Sequence, residues 1–326
     1  DAPASAESPD TIAAARAPLW RRAIPYLVTL LIFGLIFWRI PIREVAEALK
    51  NVPAASFIGI FLPFSLFYFA IDAFCLTWVV RRFNAPVRYA EVMPIRASMY
   101  LLAMVNTNLG QGGVAYYLYR KMGIPFLEAL SSVLFIALAE IYQLFLFSTL
   151  GVLFYSPQDR QLVEVTHLLR IAYVVAWVLF FAIIGLFAVA RRNEPVRRWI
   201  ESSRMGAVAG TFLKARPLDY LLVLAIKSPT FLGSLVVQFF ALSLYGISVS
   251  FLKLVLFLPL VFLAAALPIT VAHLGTSQAA WLLFFSDNAA PPAILAYSLA
   301  AHFTFMFCNG LIGLCFLRRA ARELAA

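Results

Sequence analysis

The chain has 326 residues, of which 63% are hydrophobic and 13% charged, with a mean hydropathy of +0.88 and a net charge of +10. Soluble domains carry about 25% charged residues, so a soluble globular fold is excluded and a multi-pass membrane protein is expected. At roughly 20 residues per span, about six to eight membrane segments fit. Within these residues no stretch remains for a soluble catalytic domain.

Residues 1–18, rich in Ala, Pro and Ser, read as a disordered cytoplasmic tail. Arg16, Arg21 and Arg22 precede an apolar run over 23–38 with no small-residue cleavage site after it, so a retained first span is expected. Residues 41–52 are amphipathic and mixed in charge, which suits an interfacial segment outside. The second span, 54–80, carries Pro63 and Asp72 and ends at Arg81 and Arg82, back in the cytoplasm.

Residues 97–119 lie where a membrane helix belongs, yet they contain V-N-T-N-L-G-Q-G-G over 105–113. Open backbone survives at membrane depth only where protein or a water-filled cavity surrounds it. The stretch therefore reads as a re-entrant hairpin facing a cavity, with Asn106, Asn108 and Gln111 lining it and a half-helix starting after Gly113. Arg96 and Arg120 flank it on the cytoplasmic side.

A span over 126–154 follows, with Glu140 near its middle; 155–167 is expected outside, and 168–190 crosses back. Arg191, Arg192, Arg197, Arg198, Arg204, Lys214 and Arg216 then crowd one loop, the strongest orientation signal in the chain. The span 218–245 carries Lys227, Pro229 and Gln238. Residues 252–285 form a second broken segment, with His273 at its tip and Thr276 and Gln278 just beyond Gly275. The last span, 293–317, ends at Arg318, Arg319 and Arg322, inside.

The two broken segments align at an offset of 165. Asn108-Leu109-Gly110 corresponds to His273-Leu274-Gly275, and six of the 27 positions from 108 to 134 are identical. The expected architecture is all-α: six full spans plus two re-entrant helical hairpins in an inverted repeat. The first repeat covers 19–155 and the second 168–319. Such repeats with broken helices are the mark of transporters whose sites lie between the repeats.

Charges inside apolar spans are costly and single out their residues. Glu140 is a candidate proton or ion-coupling site, or else a partner for hairpin backbone N–H groups. Lys227 either snorkels to the interface or, with Arg96 and Arg120, receives an anionic headgroup. Asp72 is the expected partner that holds Lys227 when the site is empty, and a second coupling candidate. Tyr116, Tyr117, Tyr119 and Trp281 either line a portal or anchor the hairpins. Cys75, Cys308 and Cys315 lie in apolar segments without metal-ligand spacing, so they are expected to be packing residues. No metal, cofactor or catalytic residue is expected.

Three segments carry a family resemblance: N-T-N-L-G-Q-G-G followed by Tyr119-Arg120, E-A-L-S-S-V-L-F-I-A-L-A-E ending at Glu140, and L-P-I-T-V-A-H-L-G-T-S-Q. Over about residues 20–320 the chain resembles the lysylphosphatidylglycerol synthase transmembrane, or flippase-like, family. Members usually have a Pro in the first hairpin, Gly-Gly where Ala272-His273 stands, and an acid where Gln278 stands. The resemblance implies movement of a lipid or lipid-linked headgroup between leaflets of a bacterial inner membrane, and the basic loops place both termini in the cytoplasm. The implied partner is a membrane lipid, anionic or isoprenoid-linked, and not nucleic acid; a homodimer is a further possibility. The alternative is an ion-coupled transporter of a small anionic solute.

Overall fold

The computed structural model describes residues 19–50, 52–105, 107–155, 160–203, 206–267, 270 and 274–325. The expected tail over 1–18 falls outside them. Among the described residues every regular element is helical: α1 (Leu19–Arg39), α2 (Ile42–Lys50), α3 (Ala54–Phe83), α4 (Tyr89–Val105), α5 (Thr107–Met122), α6 (Phe126–Phe154), α7 (Arg160–Ala190), α8 (Glu194–Ser202), α9 (Gly210–Lys214), α10 (Pro217–Leu244), α11 (Phe251–Ala266), α12 (Thr276–Phe285) and α13 (Pro291–Ala325), with a 3-10 turn over Gly206–Val208. Lipid offers the backbone no hydrogen-bond partners, so the apolar runs close their bonds internally as helices.

Five stretches are long and apolar enough to cross a bilayer: Ala54–Phe83, Phe126–Phe154, Val163–Ala190, Pro217–Leu244 and Pro291–Leu324. A sixth is added if Tyr26–Arg39 and Ile42–Lys50, which meet at 87°, are one bent span. The chain is thus a multi-pass membrane protein. Two boundaries move from their expected places: α7 begins at Arg160 inside the expected outer loop, and α13 runs to Ala325.

The largest correction concerns the first broken segment. It starts at Tyr89, not at 97, as α4 ending at Val105, and α5 is already helical from Thr107. Gly110, Gly112 and Gly113 are helical residues of α5, so no half-helix starts after Gly113. The reason is close packing. A methyl group at Gly110 would stand 2.8 Å from Ala103 Cβ, and one at Gly113 would stand 2.3 Å from Met99 Sδ. Those contacts pair residues symmetrically about the break, so α4 and α5 run antiparallel and touch along their small residues. Small side chains let membrane helices approach closely, which outweighs the helix-propensity cost of about 1 kcal/mol per glycine.

The second broken segment consists of α11 and α12, which also pack on each other. Here α12 does begin directly after Gly275, whose φ of +95° suits glycine alone.

Packing between the halves is reciprocal. Helix α4 packs on α13, while α11 packs on α6; α3 and α10 pack on each other; α2 lies on α13 as α9 lies on α6. The approach is tight at both crossings. A methyl at Gly313 would meet the Ala97 carbonyl oxygen at 2.9 Å, and one at Gly151 would meet Leu256 Cα at 2.3 Å. Ser148 Oγ donates to the Leu256 carbonyl at 2.7 Å across the α6–α11 seam. Among the described residues, the two largest apolar clusters hold, in one, Val79, Ile95, Leu118, Phe135 and Val223, and in the other, Phe61, Leu235, Phe257, Phe285 and Tyr297.

Candidate functional site

Helices α3 and α10 are joined by two ion pairs of opposite polarity. Arg82 Nε donates to Asp219 Oδ1 at 3.1 Å, and Asp219 Oδ2 also accepts the Arg216 backbone N–H at 2.7 Å. Ten residues back along α3, and eight forward along α10, Lys227 Nζ donates to Asp72 Oδ1 at 2.8 Å. The two rungs are therefore about 12–15 Å apart along the helices. The first rung is half-exposed on its Arg82 side, whereas the second is buried, with Lys227 at 1% and Asp72 at 2% exposure.

The buried rung belongs to a larger network. Arg96 of α4 binds the second oxygen of Asp72 through Nε, and Tyr100 donates its hydroxyl to that same oxygen at 2.9 Å. Glu140 of α6 brings Oε1 to 2.7 Å from Lys227 Nζ, an ion-pair distance without hydrogen-bond alignment. The Lys227 ammonium lies 5.3 Å from the Tyr68 ring centroid, and Arg96 Cζ lies 5.5 Å from that of Tyr100. The Lys227 carbonyl accepts from Gln143 Nε2 and from Thr230 Oγ1, each at 2.6 Å.

The formal charges of Asp72, Glu140, Arg96 and Lys227 cancel. A buried charge persists only when paired and hydrogen-bonded, and this quartet meets that condition with one asymmetry. Asp72 is enclosed and held by three donors, while the Glu140 side chain is 32% exposed and unaligned. Of the two carboxylates on Lys227, Glu140 is the one that faces open space.

The hairpin residues divide. At the start of α12, Gln278 is fully buried, and its Oε1 accepts from the Gly275 backbone N–H at 2.7 Å and from Ser277 Oγ at 3.1 Å. Among the described residues its Nε2 has no acceptor. Thr276 and Thr270 share a hydroxyl contact of 3.2 Å. On α5, Gln111 is half-buried, and Arg120 is exposed at the C-terminal end and joins none of these pairs. Asn106, His273 and the Asn108 side chain lie outside the described residues. Tyr117 and Trp281 are buried and act as anchors, with Tyr117 donating to Glu323 Oε2 at 2.6 Å, whereas Tyr116 and Tyr119 are exposed.

Sequence reasoning missed several contributors. Tyr68 and Tyr100 complete the quartet's shell but carry no signal among 13 tyrosines. Lys253, 2% exposed, ties α11 to the end of α12 through Asp287 and through Asn288 Oδ1 at 2.6 Å. That lysine stands inside the run F-L-K-L-V-L-F-L-P, which was a usable signal. Cys75 and Cys308 are buried, but Cys315 is exposed rather than packed. Among the described residues no group of three or more His, Cys, Asp or Glu could hold a metal ion.

No curated protein matches the chain. The family model described as "Lysylphosphatidylglycerol synthase TM region" matches residues 22–313. The chain therefore belongs to the lysylphosphatidylglycerol synthase transmembrane-region family.

Proposed function

We propose that this protein is a lipid transporter rather than an enzyme. It moves an anionic or isoprenoid-linked headgroup between leaflets of a bacterial inner membrane, with both chain termini in the cytoplasm. Family membership supports lipid handling. The observation that carries the finer reading is Glu140, partly exposed, sharing the ammonium of a Lys227 that is otherwise sealed in the bundle. A charge at the centre of a membrane helix costs about 2.5–3.5 kcal/mol on insertion scales.

In this reading α4–α5 and α11–α12 are re-entrant hairpins, one in each half. The offset of 165 carries α3 onto α10, α4–α5 onto α11–α12 and α6 onto α13. It also carries α2 onto the short turn and α9, and the reciprocal packing of the halves agrees with it. Three crossings per half then invert the second copy relative to the first. The headgroup enters between the hairpins while the acyl tails stay in lipid.

The anionic group approaches from the Glu140 side. It takes over the Lys227 ammonium and the accessible side of Arg96, while Asp72 keeps both bases in place. Displacing a carboxylate from Lys227 leaves Glu140 to be protonated, which links headgroup movement to a proton. Gln278 at the opposite hairpin, whose amide N–H finds no acceptor among the described residues, offers a further donor.

Proteoliposomes carrying a trace of headgroup-labelled phosphatidylglycerol test the proposal, with inorganic phosphate flux measured in parallel. Protein-dependent appearance of the label in the opposite leaflet is expected. Phosphate flux without lipid movement would instead establish a small-anion transporter.

A further inference from the structure

Helix α7 is the least covered of the five candidate spans, and its main membrane-level neighbour is α6. Between the two runs a groove of about 580 Å³. Val152 and Leu153 line it on α6, and Arg170, Val174, Trp177 and Phe181 on α7. The polar groups at its floor are already used. Trp177 Nε1 donates to Thr149 Oγ1 at 3.0 Å, and Tyr173 pairs with Ser148. What remains is an apolar channel with Arg170 at its end.

That charge is placed at a telling depth. The twenty residues from Ile171 to Ala190 contain no charged side chain, and Arg170 and Arg191 bound them. Twenty helical residues span about 30 Å, the thickness of the hydrocarbon core. Arg170 thus lies at the headgroup boundary on the side opposite the basic loop. It is exposed, and among the described residues no acidic group pairs with it. From Arg170 the lining continues through Val174 and Trp177 to Phe181, about 16 Å into the core.

We propose that this groove is a binding site for one anionic phospholipid, its phosphate on Arg170 and one acyl chain laid between α6 and α7. Charge and dimension select this occupant. An unpaired guanidinium at phosphate depth suits a phosphate oxygen pair, and a one-chain-long apolar trough below it suits a tail. The site is distinct from the buried quartet and does not rest on the transport reading.

Native mass spectrometry of the full chain in mild detergent tests it. The chain is loaded with an equimolar mixture of phosphatidylglycerol and phosphatidylcholine. Wild-type protein is expected to retain phosphatidylglycerol preferentially, at one more copy than the Arg170→Gln variant. That variant should lose about fivefold in retention, matching one basic residue at the membrane surface. Arg170→Lys should recover most of it, and Val174→Trp, which fills the trough, should lose it with the charge intact. Arg170 is exposed, so the variants keep the fold, and Arg192→Gln, an exposed arginine beyond the other end of α7, serves as the control that leaves this lipid in place. Equal retention in wild type and Arg170→Gln would overturn the proposal. So would a dimer in wild type that Arg170→Gln abolishes, because the face would then belong to a second copy.

Discussion

Lys227 and Asp72 stand 155 residues apart in the chain and 2.8 Å apart in space, closing a buried rung between α3 and α10. Each is costly alone in an apolar helix, and each makes the other tolerable. The rung also holds Arg96 on its far side and meets Glu140 on its near side. Here both halves of the chain contribute to one buried charged centre.

Breaking the rung should cost more than removing it. Asp72→Asn or Lys227→Met leaves a buried charge short of a partner and should each destabilise the protein by about 3–5 kcal/mol. The double variant should lose clearly less than the sum, because no orphan ammonium remains. Thermal unfolding of the three variants in one detergent measures this. Additive losses would show that the two side chains do not act as a pair.

The glycines of α5 give a position-specific prediction. Gly110→Ala places a methyl against the Ala103 backbone, with Cα at 3.1 Å, and should cost about 1–3 kcal/mol. Gly113→Ala meets only the flexible end of Met99 and Leu102 and should cost less. Gly112→Ala meets nothing within 4 Å and should stabilise by up to about 1 kcal/mol, as a helical glycine replaced by alanine does. A destabilised Gly112→Ala variant would place the stretch outside a helix.

Gln278 caps the start of α12 through its carbonyl oxygen. Gln278→Leu strips that acceptor from Gly275 and should lower stability by about 1–2 kcal/mol. Gln278→Glu keeps an acceptor in place and should stay closer to wild type. If the two variants unfold at the same temperature, the cap contributes nothing measurable.

Much of this was legible in the sequence for a physical reason: lipid forces apolar runs into helices, and length then locates them. Asp72, Glu140 and Lys227 stood out because a charge in such a run demands a partner, whereas Arg96 was read as a basic flank of the hairpin. The pairing of Asp72 with Lys227 was foreseeable, but the joining of all four was not, since helices α3, α4, α6 and α10 meet only in three dimensions. The glycines misled for the same reason. Glycine signals both a broken helix and a close approach between helices, and only the position of Met99 and Ala103 decides between them. Arg120 was read as a ligand because it flanks the hairpin; it is exposed, and among the described residues it pairs with none of the four charged groups.

Glu140 is the residue on which the transport account turns. The most direct test is leaflet-to-leaflet movement of labelled phosphatidylglycerol in proteoliposomes, comparing wild type with Glu140→Gln between about pH 5.5 and pH 8. The account predicts wild-type movement that varies with pH, and a folded Glu140→Gln protein in which movement is lost or no longer depends on pH. Identical, pH-responsive movement in both proteins would contradict it and remove Glu140 from the mechanism.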